Sequence, residues 1–169
     1  VIRRLRSVLK KTPFEMRMID LNETVRGVID FLGAVAHGRD IALKCVPATA
    51  ELRVKGDAVQ LQQVIQNLIM NAMDAVSEAG AREREVSVST DRSGAWAEIR
   101  VSDTGPGIGA EDIKNVFNPF FTTKPQGMGM GLAIVRTIVE AHHGQISAEN
   151  QSSGGAVFTI RLPIARGRS

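Results

Sequence analysis

Four groups of residues in this 169-residue chain could do chemistry by their type and spacing. The first is a carboxylate. Asp103 ends an alternating run, Ala95–Asp103, in which Ala97, Ile99, Val101 and Asp103 fall on one face. Ile99 and Val101 belong in a core, so Asp103 is carried toward the same interior. A buried carboxylate is costly unless something bonds to it, which makes Asp103 a candidate for reading a ligand. The second group is Asn67, Asn71 and Asp74, at i, i+4 and i+7 on one line of a helical pattern. A solvated polar stripe and a ligand-holding line fit that spacing equally. Two carboxamide oxygens, with water and phosphate oxygens, could complete a magnesium shell. The third group is glycine. Asp103-Thr104-Gly105-Pro106-Gly107-Ile108-Gly109 follows a strand, and Gly127-Met128-Gly129-Met130-Gly131-Leu132 opens a helix. Glycines let backbone N–H groups approach phosphate oxygens, and a helix N-terminus adds a favourable field. Each cluster alone reads more readily as a tight turn. Neither is a GxxxxGK[ST] loop, and neither sits where a dinucleotide fingerprint belongs. The fourth is Asn118-Pro119-Phe120-Phe121-Thr122-Thr123-Lys124. Its paired phenylalanines could anchor a lid, and Lys124 could reach a terminal phosphate as a point charge or be an ordinary surface lysine.

These residues need elements to position them. Residues 1–11 read as a helix fragment, with Ile2, Leu5, Val8 and Leu9 at helical spacing, ended by Thr12-Pro13. A second helix begins near Asp20, where Asp20 and Glu23 have capping-box spacing, and stops near Gly38. Two short strands are expected at about 41–46 and 52–54. The clearest helix follows Asp57, with Gln60 completing another capping box. It carries Leu61, Val64, Ile65, Leu68, Ile69, Ala72 and Ala75 on an apolar face and ends at Gly80. Strands at 86–90 and 95–103 flank a Ser93-Gly94 turn. From 104 to 131 periodicity fails, apart from a possible short helix around 111–116. A stretch that long without regular structure suits a functional lid. A helix over about 131–143 and strands at about 145–149 and 156–162, joined by Gly154-Gly155, close the chain. The order predicts an α+β fold, a two-layer α/β sandwich with helices on one face of a mixed sheet.

Composition narrows the function. Cys45 is the only cysteine, so an internal disulfide and a CxxC zinc site are both excluded. No apolar run approaches the ~18 residues of a membrane span. The net charge of +3 is uneven: residues 1–11 and 161–169 together carry +8, and the stretch between carries −5. The chain has no tyrosine and one tryptophan. A mildly acidic body poor in aromatics argues against nucleic-acid binding, which needs a basic face and stacking rings.

In the order in which they stand, NLIMNA (67–72), DTGPGIG (103–109), NPFFTTKP (118–125) and GMGMGLAI (127–134) resemble the N, G1, F and G2 boxes of histidine protein kinases. The similarity runs from about residue 20 to 162. It implies the Bergerat-type ATP site shared with type II topoisomerases and related chaperone and repair ATPases. It implies ATP and Mg²⁺ as ligands. Carried over by position, Asp103 would accept from the adenine amino group, and Gly105 and Gly107 would shape the adenine pocket and the hinge of a lid at about 104–130. Asn71 would hold magnesium, with Asn67 beside it facing metal and phosphates. Lys124 would touch the phosphates. Phe120, Phe121, Thr122, Gly127, Met128, Gly129, Met130, Gly131 and Leu132 would line the nucleotide, with Phe117, Phe120 and Phe121 seating the lid. Asp74 falls where many relatives carry lysine, and Met130 where leucine is common. In the related ATPases the place of Asn67 is held by a glutamate that activates water. An amide cannot take a proton near neutral pH, so ATP should be held without rapid hydrolysis.

The similarity implies a catalytic, ATP-binding domain of a sensor histidine kinase, moving the γ-phosphoryl group to a histidine on an adjoining helical hairpin. His37, His142 and His143 do not stand in an acceptor motif. The acceptor is therefore expected upstream, with residues 1–12 the end of the hairpin, 13–163 the catalytic domain and 164–169 a tail. The implied partners are the chain's own dimerisation domain, a second copy in the intact protein and the receiver domain of a response regulator. A cytoplasmic setting is expected, with the intact protein soluble or membrane-anchored. An ATPase of the same fold, a serine kinase of that fold and a non-catalytic docking module stay open beside it.

Overall fold

A computed structural model describes residues 15–79, 83–118 and 131–165. Seven strands and three helices are formed among them. They run β1 (Arg17–Asp20), α1 (Leu21–Gly38), β2 (Ala42–Val46), β3 (Arg53–Gly56), α2 (Ala58–Ala79), β4 (Glu85–Ser93), β5 (Trp96–Asp103), α3 (Gly131–Ala141), β6 (Gln145–Asn150) and β7 (Ala156–Pro163). The five-stranded sheet has the order β2-β4-β5-β7-β6. β2 and β4 are parallel and the other pairs antiparallel, giving the mixed sheet expected. One face of the sheet is apolar because the strands alternate. Val86 and Val88 of β4, Ile99 and Val101 of β5, and Phe158 and Ile160 of β7 are all buried. In register, Val88 lies opposite Val101, which lies opposite Phe158, so the inward side chains form rows across the sheet. The helices cover this face, α2 against β4 and β5.

The helix starts follow the capping reading in part. Asp20 Oδ1 accepts from Asn22 N at 3.0 Å, but Glu23 pairs with Arg26 instead of reaching back. Asp57 Oδ1 accepts from Gln60 N at 3.0 Å, while the Asp57 N–H goes to His142 Nε2 at 3.0 Å and not to Gln60. Each box is therefore half made.

The stop of α1 differs from its glycine signal. In α1 the left-handed residue is Asp40 (φ 59°), with Ile41 N bonded to Ala36 O, two residues past Gly38. In α3 it is His143 (φ 63°), with Gly144 N bonded to Val139 O. Both are Schellman stops built on a polar residue. Gly144 is needed for a different reason: a Cβ there would lie 2.4 Å from Arg161 O.

β1 was not foreseen. It pairs only with β3, in a separate two-stranded sheet. Residues 111–116, expected as a possible short helix, form successive turns. The tight turn between β4 and β5 is Gly94-Ala95, one residue later than expected, with Gly94 at φ 61°. Ile164 bridges Val54, and Ala165 N donates to Arg53 O at 2.8 Å, so the first two residues of the expected tail are tied to β3. The helix fragment at 1–12, the stop at Gly80 and residues 166–169 lie outside the described residues.

Candidate functional site

The site is built around the end of β5. Alternation carries Asp103 inward with Val101, and its side chain is buried at 4% exposure. Its Oδ1 accepts from Gly105 N at 2.8 Å and from Ala156 N at 3.3 Å. No hydrogen bond to Oδ2 is made among the described residues. Burial raises the Asp103 carboxyl above its ordinary range, and the two backbone N–H groups pull it back in part. The result is a fixed acceptor in a sheltered place.

The glycine run after Asp103 is held in place by distant residues. Asn150, at the end of β6, accepts from Ile108 N and donates to Ile108 O, both at 2.7 Å. This side-chain amide clamps the loop as a strand would. Gly107 stands at φ 83°, and a Cβ there would lie 2.8 Å from Asn150 Oδ1. Only glycine suits it on both counts. A Cβ on Gly105 would lie 3.0 Å from Asp103 Oδ1 and 3.1 Å from the Ala75 carbonyl oxygen of α2. The loop thus joins the carboxylate to the helix bearing the amides.

On α2, Asn67, Asn71 and Asp74 are all half-buried, flanked by fully buried Leu68, Ile69, Ala72 and Met73. The contact of α2 with the Gly105 loop is made by the backbone carbonyl of Ala75, the residue after Asp74. The oxygen donors of the three side chains are the ligand type magnesium takes. No cluster of three His, Cys, Asp or Glu is gathered among the described residues. Asp74 is engaged by Arg39 from the end of α1, with Nη1 2.7 Å from Oδ1.

Phe117 stacks edge-on against Phe158 of β7, with ring centroids 6.0 Å apart at 86°. The chain after the loop is therefore seated on the core. Gly131 and Leu132 begin α3, with open space where a Gly131 Cβ would stand and Leu132 packed against the core. Phe120, Phe121, Thr122, Lys124, Gly127, Met128, Gly129 and Met130 lie outside the described residues.

Three contributors were missed in the sequence. Gly155 read as a hairpin turn, but a Cβ there would lie 1.8 Å from Asp103 O, at φ 85°. Ala156 supplies its N–H to Asp103, and Gln151 Nε2 reaches Asp103 O at 3.4 Å. These contacts span 48 to 53 residues, and nothing in the local pattern marks them. Of the histidines, His142 is buried with both ring nitrogens used: Nδ1 lies 2.8 Å from Ile138 O, and Nε2 accepts from Asp57 N. This fixes the proton on Nδ1 and suits a packing role. A polar cavity of about 400 Å³ is lined by Glu85, Ser87, Ser102, Thr104, Gln151 and Asp103 itself, and by no residue of α2.

Residues 56–166 match the family model of histidine kinase-, DNA gyrase B- and HSP90-like ATPases. The chain is 40% identical over 167 residues to the sensor histidine kinase TmoS of Ectopseudomonas mendocina, covering 98% of this chain and 17% of that protein. It is similar to the solved catalytic domain of histidine kinase ThkA, at 33% identity and a TM-score of 0.78, covering 89% of this chain and 96% of that one. A further ThkA structure, in complex with the response regulator protein TrrA, matches at 26% identity and a TM-score of 0.77, over 97% of this chain and 47% of that one. The chain spans 17% to 35% of the length of the first curated relatives it matches.

Proposed function

Because this chain belongs to the histidine kinase-, DNA gyrase B- and HSP90-like ATPase family, and within it to the catalytic domains of histidine kinases, we propose that it binds Mg·ATP and transfers the γ-phosphoryl group to a histidine on an adjoining dimerisation domain. In a two-chain protein, the phosphoryl group would then pass from that histidine to the receiver domain of a response regulator, in a cytoplasmic setting. The observation that carries the reading is Asp103, buried and fastened through Oδ1 by Gly105 and Ala156 N–H groups, with the Gly105 loop set against the Ala75 carbonyl of α2, the helix that bears Asn67 and Asn71. That is the arrangement needed to accept from an adenine amino group at one end and meet phosphates at the other.

In the transfer, an imidazole nitrogen attacks the γ-phosphorus as the bond to the bridging oxygen breaks, and ADP leaves with the electron pair. This chain's part is positioning. Asp103 orients the base, Gly105 and Gly107 let the backbone approach it, and Asn67 and Asn71 face the phosphates. Lys124 and the glycines from Gly127 to Gly131 would receive the phosphate oxygens. Magnesium, when bound, supplies charge neutralisation on those oxygens, and Asn71 is the residue that would hold it. Asn67 offers no base to activate water, so the γ-phosphoryl group is kept for the imidazole.

The test uses a longer protein carrying the dimerisation hairpin and γ-labelled Mg·ATP, with protein-bound label and released phosphate followed together. Acid-labile, base-stable label on the protein is expected. Free phosphate without protein label would overturn the reading in favour of an ATPase. Bound ATP with neither signal would leave a docking module.

A further inference from the structure

The pair between Arg39 and Asp74 has no part in the adenine contact or in the phosphate contacts described so far. Its position is informative. Asp74 lies three residues beyond Asn71, about 4.5 Å further along the axis of α2. The next residue, Ala75, presents its carbonyl to the Gly105 loop, at the point where Asp103 Oδ1 also arrives. Along α2, Asp74 thus falls between Asn71, which on the nucleotide reading would face magnesium and phosphates, and the Ala75 carbonyl at the Gly105 loop. The part of a nucleotide between base and phosphates is the sugar. Its hydroxyls are donors, and a carboxylate is an acceptor only.

A carboxylate so close to the phosphates would repel them unless its charge were balanced. Arg39 supplies that balance with Nη1 2.7 Å from Oδ1, both side chains about one-third exposed. Arg39 is itself placed by the fold. It caps α1, and Arg84 holds the following turn through Nη2 to Arg39 O at 2.7 Å and Nε to Asp40 O at 3.2 Å. A strut linking two helices would not need to lie on the ligand line of α2.

We infer that Asp74, held and neutralised by Arg39, reads the sugar hydroxyls of the nucleotide, making Arg39 a positioning residue for that contact. This rests on the nucleotide reading above. It makes the site selective for ribonucleotides over deoxyribonucleotides.

The test compares ATP with 2′-deoxy-ATP and 3′-deoxy-ATP by calorimetric titration of this chain. The unaltered chain should bind at least one deoxy analogue roughly tenfold more weakly than ATP, the size expected for a lost hydrogen bond to a charged group. In Asp74→Ala that ratio should fall toward one. In Arg39→Met it should fall part of the way. Asp103→Asn should weaken all three nucleotides together and leave the ratio standing. Equal affinity for all three in the unaltered chain, or an undiminished ratio in Asp74→Ala, would overturn the inference and leave the pair a strut between helices. Failure of the unaltered chain to bind any of them would overturn the nucleotide reading itself.

Discussion

Asp103 shows how much a single position can reveal. Its inward direction follows from strand phase alone, since Ile99 and Val101 must face the core and Asp103 shares their parity. What holds it, Gly155, Ala156 and Gln151, lies some fifty residues on and has no local signature. Replacing Asp103 by Asn should weaken ATP binding by ~1–3 kcal/mol, because a fixed acceptor is exchanged for a group that presents a donor as well; calorimetry reads this directly. Because burial raises this carboxyl above 3.8, the folded chain takes up its proton more readily than the unfolded one. Two opposite trends follow as pH falls through the raised value. ATP affinity should drop, since the protonated group is a poorer acceptor, while this group's penalty on folding is relieved. Gly155→Ala should cost more than any other single change near the site, because its Cβ would stand 1.8 Å from a backbone oxygen. Denaturant unfolding should show it losing several times the ~1 kcal/mol typical of point changes. Trp96 has opposite parity to Asp103 on β5, so its fluorescence should respond little to nucleotide; a large quench would contradict the strand phase.

Elements were legible where a pattern ran long. α2 and β5 carry unbroken periodicity, and both formed, α2 over Ala58–Ala79 and β5 over Trp96–Asp103, one residue later at its start than expected. β1 was not legible, because four residues with Arg17 and Met18 outward give no alternation, and only β3 makes them a strand. The stop of α1 misled for a related reason. Gly38 marked the neighbourhood of that end, while the left-handed turn was taken by Asp40, as it is by His143 after α3. The start of α2 is the joint on which the helices depend. Asp57 accepts from Gln60 N and, through Oδ2, from Glu15 N at 2.7 Å, while its own N–H is taken by His142 at the end of α3. Burial pushes the Asp57 carboxyl up, but the N–H groups of Gln60, Glu15 and Val59 outweigh it, so the net shift is downward. The stability this lends is therefore present above the ordinary value of 3.8 and lost as pH falls through the lowered one. Asp57→Ala should cost about 1–2 kcal/mol in denaturant melts at neutral pH, and the deficit should shrink in acid. An equal deficit at all pH values would mean that the cap acts without its charge.

At the scale of the molecule, the four motifs in order were enough to give the family. Spacing alone gave less, since each motif has a common structural reading and only their sequence along the chain is distinctive. The sheet order β2-β4-β5-β7-β6 was not legible, because it depends on pairings such as the parallel β2–β4 contact between distant strands. Nor was the way β3 joins the two ends of the described chain, with β1 on one side and Ile164 on the other. That arrangement has a mechanical consequence. Tension between residues 15 and 165 meets β3 from both sides, and on the C-terminal side it is shared with the bond from Ile164 N to Ala95 O at 2.9 Å, which ties Ile164 to the β4–β5 turn. Pulling between residues 15 and 165 should release a short extension at low force before the nucleotide-bearing body yields. β3 is thus a point of yielding common to both sides of the domain.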